Sequence, residues 1–559
     1  MGRPTSVKPI TTGSNRRDFF KRSGSGAVLL AAAPMAALST GADAASVVFQ
    51  HGVASGDPLA DRVILWTRVT IATIKPTVPV TYVMATDPGL RRIVKRGVAL
   101  TSAARDFTVK VDAIGLQPGT TYYYRFTAGG SESPIGRTKT LPVGATARLR
   151  MAVASCSNHA AGYFNAYARI AQRADLDLVV HLGDYIYEYG TGQYGSARTP
   201  EPATEMVTLA DYRMRHAQYK RDPDSQAVHR QHPFIAIWDD HEITNDTWVA
   251  GAQNHDATEG TYADRVANGL KAYYEWMPIR VADPTDLRRN QRSFRFGDLV
   301  ELVMLEERLS ARSQQLAATV ATPLGAGFVQ TGDFADPART LLGTTQEAWL
   351  AERLRTTPAR WKLLGQGVMF AQLKGVAATN AAGGGAFLNS DQWDGYQPAR
   401  NRIYDVIKGD ASHARVDNVV VLTGDIHSSW VADLTQDPNN PDVTSGGYNP
   451  ATGEGSQAVE FVGTSISSPG IDTDTNGAIA GFLRAINPHF KYINLHKRGY
   501  MLVDVTPQRA VGEWWHVDTV ASPSNIETLA AVFEVQAGTN RLAPSAQTTP
   551  AANPPVLAP

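Results

Sequence analysis

The chain has 559 residues, 43% apolar and 19% charged, longer than one ordinary domain core and balanced like a folded protein. Lysine plus arginine (53) equals aspartate plus glutamate (53), so the whole chain has no basic surplus of the kind that drives nucleic-acid binding, and no nucleic-acid-binding surface is expected. The single cysteine, Cys156, excludes an intramolecular disulfide, a multi-cysteine zinc site and an iron–sulfur cluster.

Residues 1–44 read as an export address. Arg3, Lys8, Arg16, Arg17, Lys21 and Arg22 precede an Ala/Val/Leu-rich run, Gly24 to Leu38, that is too short to span a bilayer comfortably. Ser14 to Lys21, with its Arg16-Arg17 pair, resembles a twin-arginine signal, and Ala42-Asp43-Ala44 supplies a small-x-small cleavage site. An uncleaved anchor behind an accidental arginine pair is the competing reading. Cleavage near Ala44/Ala45 leaves 47 basic and 51 acidic residues, a net charge of −4, and no remaining run long enough for a transmembrane segment. The resemblance implies the twin-arginine machinery as a partner and a location in the periplasm or outside the cell. Because that route carries folded proteins, it favours a chain that takes up a metal before export.

From 45 to 142, short alternating segments recur, among them Arg62 to Arg68, Val80 to Met84, Phe107 to Val111 and Thr121 to Phe126, separated by Gly, Pro and Asp. They predict a small fibronectin-III-like all-β domain, with Leu116 to Tyr122 resembling a tyrosine corner. This module is expected to act as a scaffold. From 148 to 520 the pattern becomes α/β: buried strand-like runs (Met151 to Ser155, Leu178 to Leu182, Phe234 to Trp238, Leu299 to Leu305, Val419 to Thr423) alternate with helical stretches such as Tyr163 to Arg173 and Gln346 to Arg355. The tail from about Ala537, and 537–559 as a segment, is rich in Pro, Ala, Thr and Asn and reads as disordered or as a loosely attached extension.

Several of these strands run directly into residues that bind metals, where open α/β sheets place their sites. They give Ser155-Cys156-Ser157, Gly183-Asp184 with Tyr187 and Glu188, Asp239-Asp240-His241-Glu242 with Asn245, and Gly424-Asp425-Ile-His427. Each alone has an ordinary reading as a turn, a helix cap or a buried core residue. Four such strand ends in one domain instead indicate one shared centre. A serine nucleophile is set aside, because Gly463-Thr-Ser465-Ile-Ser467 lacks the second glycine of a nucleophile elbow.

The order Gly-Asp, Asn within an Asp-His-Glu segment, then Gly-x-x-His resembles the metallophosphoesterase plan, with Cys156 and Tyr187 where an imidazole is more usual. Together with Phe49 to Asp57, Val63 to Arg68, Trp361 to Gln366, Trp393 to Tyr396, Asn487 to His489 and Arg498 to Tyr500, the chain resembles the PhoD family of secreted alkaline phosphatases and phosphodiesterases, which includes phospholipase D-type members. The resemblance implies a metallophosphoesterase-like β-sandwich core flanked by helices. It also implies hydrolysis of a phosphoester substrate, a phosphomonoester or a phosphodiester, by attack of a metal-bound hydroxide or oxide. Iron(III), Fe(3+), and calcium, Ca(2+), are the implied cofactors, held by Cys156, Asp184, Tyr187, Asn245, Asp425 and His427, with thiolate and phenolate donors favouring the trivalent ion. Asp240 and His241 are the implied catalytic residues, His241 orienting phosphate or protonating the leaving group. Glu306, in Met304-Leu-Glu306-Glu307-Arg308, stands where the family commonly carries Asp, and its extra methylene is expected to displace a carboxylate near the site by about an ångström. The alternatives are a phospholipase D-type phosphodiesterase and a noncatalytic envelope-binding protein with structural metals.

Overall fold

The computed structural model describes residues 47–72, 76–376 and 384–559; the expected export signal at 1–44 and its cleavage site lie outside these. Two large sheets dominate the described residues. The first has ten strands in the order Leu542–Pro544, Glu527–Gln536, Arg509–Val517, Gly499–Val505, Leu149–Ala154, Leu178–His181, Pro233–Ala236, Val53–Gly56, Arg62–Arg68 and Thr108–Ile114. Its four central strands, from Leu149–Ala154 to Val53–Gly56, are parallel. The second has seven strands, of which Val300–Met304, Trp361–Gln366, Val419–Thr423 and Ala458–Val462 are parallel neighbours.

Strand periodicity explains how the sheets stack. Leu149, Met151 and Val153 face a core shared with Leu302, Leu363 and Val420 of the second sheet, while Ala152 and Ala154 face helices on the other side. In the second sheet Val419 and Val421 turn outward to another helical layer. Both sheets are therefore buried on two faces, which is why their central strands read as continuous apolar runs. The result is a β-sandwich core between helices. Asn165–Ala171, Leu209–Arg221, Pro223–Gln231 and Tyr262–Trp276 contribute to one covering layer, and Gly343–Thr356, Gln397–Lys408 and Ala478–Ile486 to the other. Thr208 and Asp211 form a capping box at one of these helices, and Pro223 sits in the first turn of the next behind an Asp222 cap.

The N-terminal module is all-β, but it is not free-standing. Val53–Gly56, Arg62–Arg68 and Thr108–Ile114 extend the ten-stranded sheet, and a separate sheet built on Gly136–Lys139, Thr121–Ala128, Val78–Ala85 and Ile93–Thr101 closes over them. Tyr122 Oη accepts a hydrogen bond from Gln117 N at 2.8 Å, the geometry of a tyrosine corner. At the junction, a Cβ on Gly56 would lie 2.4 Å from the Pro278 carbonyl oxygen, so close passage of the two chains requires glycine there.

The chain's end differs from expectation. A boundary at 520 falls between two paired strands, since Arg509–Val517 is hydrogen-bonded to Glu527–Gln536. The tail is also ordered rather than disordered. Leu542–Pro544 adds to the sheet edge, the Thr549 carbonyl accepts from Arg148 Nη2 at 2.6 Å, and the Pro555 carbonyl accepts from Arg137 Nη1 at 3.2 Å. Ala558 then exchanges two hydrogen bonds with the Gln231 amide, at 2.8 and 2.9 Å. A Pro/Ala-rich segment cannot build a core of its own, but its free carbonyls suit docking onto donors that the folded body already presents.

Removing residues 545–559 is expected to lower the melting temperature, because each lost buried hydrogen bond contributes about 0.5–1.5 kcal/mol. Scanning calorimetry of the full and shortened chains measures this.

Candidate metal centre

The parallel strands of both sheets deliver their polar termini to one place. Immediately beyond them, Cys156, Asp184, Asp425 and His427 all have positive φ, between 55° and 59°. Non-glycine residues rarely adopt this conformation, which costs on the order of 1–3 kcal/mol each and persists only where the surroundings enforce it. Gly183, at φ 102°, permits the closest of these approaches: a Cβ there would come 2.5 Å from Asp239 Cβ.

Three overlapping groups of donors result, each with ligand atoms within 4.8 Å of one another: Cys156, Asp184 and His427; Asp184, Asp240 and His241; and Asp239, Asp240 and Asp425. Asp184 links the first two and Asp240 the last two. Tyr187 joins the first, its hydroxyl donating to Asp184 Oδ2 at 2.9 Å and lying 3.0 Å from His427 Nε2, while Ser468 Oγ donates to it at 2.7 Å. Asp184 Oδ1 and Asp240 Oδ1 are buried without a hydrogen-bond partner. Most of the centre is shut from water, but the side chains of Asp425 and His427 keep 18% and 12% exposure, giving it an open side.

The electrostatics follow from crowding of like charge. Burial, reinforced by Asp240, Asp239 and Glu242, pushes the Asp184 carboxyl well above its usual range against the opposing His241. Burial and Asp239 do the same to Asp425, against Arg308. Burial and then Asp184 raise the Cys156 thiol and the Tyr187 phenol. Burial lowers His427 to about 3, leaving a neutral imidazole suited to ligation. Orphaned carboxylate oxygens together with a thiol, a phenol and a neutral imidazole fit cation binding, since a cation would stabilise every anionic form at once.

A polar frame holds the donors. Glu242 accepts hydrogen bonds from the backbone of Asp184, Tyr185 and Asp239, at 3.1, 2.5 and 2.8 Å, tying two strand ends together. Glu188 pairs with His241 Nδ1 at 2.7 Å. Burial alone would neutralise both, yet the pair prevails: Glu188 falls to about 2, and Glu188 with Asp240 raises His241 well above its usual value. Arg308, fully buried, bonds both Asp239 oxygens and lies 2.8 Å from each Asp391 oxygen and 3.4 Å from Asp425 Oδ1. Arg312 adds a second cation against Asp391.

Of the residues expected from sequence, Cys156, Asp184, Tyr187, Asp240, His241, Asp425 and His427 converge. Asn245 joins only through its backbone N, which donates to Glu188 at 2.7 Å; its side-chain amide donates to Gln253 at 3.0 Å. Glu306 lies behind the centre, not among its donors. Its carboxylate accepts from Trp238 Nε1 and from the backbone N of Arg308, Leu309 and Ser310, at 2.7–2.9 Å, so it shapes the turn that carries Arg308. Sequence reasoning assigned no role to Arg308, Asp391 or Ser468, and it named Glu188 and Glu242 only as members of the strand-end motifs. The usable signal for Arg308 was a charged residue a few positions past a mostly apolar strand, Val300–Met304.

Arg308→Met would leave Asp239 and Asp391 short of their counter-charge and is expected to cost about 3–5 kcal/mol, read from denaturant unfolding of the chelator-treated protein. Glu242 and Asp246 are raised to about 7, chiefly by burial. The folded chain thus binds more protons than the unfolded chain, whose carboxyls titrate near ~4, so stability falls as pH rises between those values. His241 acts in the same direction, as its raised value confers stability below ~6.5 that is lost as pH rises through it. Metal-free protein is therefore expected to melt at lower temperature at pH 8 than at pH 5, with added calcium reducing the difference; thermal melts in chelator and in calcium test this.

Residues 151–514 match the model of the PhoD-like phosphatase family, and residues 34–142 match that of the PhoD-like phosphatase N-terminal domain. The chain is 37% identical over 501 residues to alkaline phosphatase D of Bacillus subtilis (strain 168), covering 87% of this chain and 80% of that one. It also superposes on a solved structure of PhoD with a TM-score of 0.78 at 35% identity, covering 90% of this chain and 92% of the other. With the same two-part architecture and similarity along most of its length, the chain belongs to the PhoD-like phosphatase family.

Proposed function

We propose that the protein is an exported, metal-dependent phosphoester hydrolase acting on phosphomonoesters, phosphodiesters or both. The observation that carries this reading is the linked set of donors around Asp184 and Asp240, each keeping one buried carboxylate oxygen without a hydrogen bond beside an open side of the centre, that of Asp240 lying 3.5 Å from Arg308 Nη2. Family membership and similarity to a protein named alkaline phosphatase D support the reaction class. The arginine pair and cleavage motif in residues 1–44 support export by the twin-arginine route to the periplasm or beyond.

Cys156, Asp184, Tyr187 and His427 would hold iron(III), their thiolate and phenolate favouring a trivalent ion. Asp184, Asp240 and Asp425 would hold calcium through oxygen donors. Asp240 is thus reassigned from a catalytic residue to a ligand, and Asn245 is the expected ligand that the geometry supports least. Such cations would supply charge neutralisation at the phosphoryl oxygens and a lowered pKa for attacking water.

The chain's own residues supply the rest. His241 has Nδ1 committed to Glu188, which leaves Nε2 free on the side of Asp184 and Asp240. Held protonated by Glu188, the ring is suited to orient a phosphate oxygen or to give its proton to the departing alkoxide. Arg308 is already occupied by carboxylates and serves as a strut, so recognition of phosphate does not require it. No protein nucleophile is needed, and Cys156 is a ligand.

Nitrophenyl phosphate and bis(nitrophenyl) phosphate, assayed with calcium and with chelator, test the reading: chelator-sensitive release of nitrophenolate is expected, and the ratio of rates separates monoesterase from diesterase. Asp184→Asn is expected to lower turnover by roughly 10³-fold or more. Tyr187→Phe is expected to remove the phenolate part of the visible absorption of the iron-loaded protein and leave the thiolate part. Full activity in Asp184→Asn would overturn the shared-ligand role.

A further inference from the structure

We propose that the outer face of the N-terminal module is a docking surface for an anionic lipid bilayer. The strand Ile93–Thr101 ends its sheet, and no described strand pairs with its free side. Its residues alternate in burial, placing Val94, Arg96, Val98 and Leu100 outward. Val94 is 51% exposed and Val98 and Leu100 are each 63% exposed, whereas exposed β-branched and leucine side chains on a monomer are usually scattered singly. Pro79 and Thr81, directly across the ladder from Leu100 and Val98, continue the face and are also exposed.

Charge identifies the occupant. Arg91, Arg92, Lys95 and Arg96 lie within the same six residues as Val94, and Arg91, Arg92 and Arg96 are exposed. The nearby acidic groups offset them only in part. Asp87 caps the turn through the backbone N of Arg91 and Arg92 and lies 3.7 Å from Arg92 Nε, and Glu132 is occupied by Arg125 at 2.6 Å. Aliphatic side chains flanked by cations match the boundary between acyl chains and acidic headgroups, where each half supplies a separate part of the binding energy. The face lacks the aromatic side chains that stack on sugars or nucleobases. The near-neutral whole-chain composition conceals this local concentration of charge.

The test is flotation of the full mature chain with vesicles of phosphatidylcholine alone and with added phosphatidylglycerol, at low and high salt. Binding to the phosphatidylglycerol vesicles, at least fivefold weaker with phosphatidylcholine alone and reversed by salt, is expected. Arg91→Glu/Arg96→Glu and Val98→Ser/Leu100→Ser should each reduce the bound fraction at least fivefold while leaving the thermal melt unchanged. The proposal is overturned if the wild type fails to float with anionic vesicles, or if both double variants float as well as it does. It is equally overturned if the wild type is a dimer that Val98→Ser/Leu100→Ser converts to monomer, which would identify a second copy as the occupant.

Discussion

Crowding of negative charge at the ends of parallel strands is the constraint on which the rest depends. Asp184, Asp239, Asp240 and Asp425 are packed close together, burial opposes the ionisation of Asp184, Asp239 and Asp425, and the surrounding structure is organised to hold them there. Arg308 offsets Asp239 and Asp391 directly, and Glu242 clamps two of the loops by their main chains. His241 and Glu188 form an internally neutral pair within the same enclosure. These groups over-determine a geometry whose backbone is strained at four of the donor positions.

The two-sheet architecture makes that concentration possible. Donors come from both sheets: Cys156, Asp184 and the Asp239–His241 segment follow strands of the first, and Asp425 and His427 follow a strand of the second. Neither sheet alone would complete the centre. The apolar interface between them, built from residues such as Met151, Leu302, Val420 and Met501, therefore fixes the ligand geometry as well as the fold. Slippage of one sheet against the other would separate Asp184 from His427.

Much of this was legible in the sequence because its causes are local. Strands buried on two faces appear as unbroken apolar runs, and polar residues following them mark the site. Cys156, Asp184, Tyr187, Asp240, His241, Asp425 and His427 could be found that way. Asp391 could not, since it reaches the centre from a segment with no apolar run to announce it, and Ser468 could not, since its role depends on partners far away in the chain. The strand Glu527–Gln536 was obscured by partial exposure along nearly its whole length. Order in the tail was obscured by composition, which reports the absence of a core but not the presence of donors elsewhere.

The wiring of the first sheet carries a consequence for biogenesis. Leu149–Ala154 lies between Leu178–His181 and Gly499–Val505, and Val53–Gly56 lies beside Pro233–Ala236. Pairings so distant in sequence carry a high loop-closure entropy and slow a chain's folding. The central sheet cannot be completed until residues 499–505 have emerged from the ribosome, and the terminal strap finds its sites on Arg137 and Gln231 later still. Closure of the first sheet thus waits on a strand about 350 residues beyond its central one, so that a chain cut short of Gly499–Val505 leaves the edge of Leu149–Ala154 unpaired.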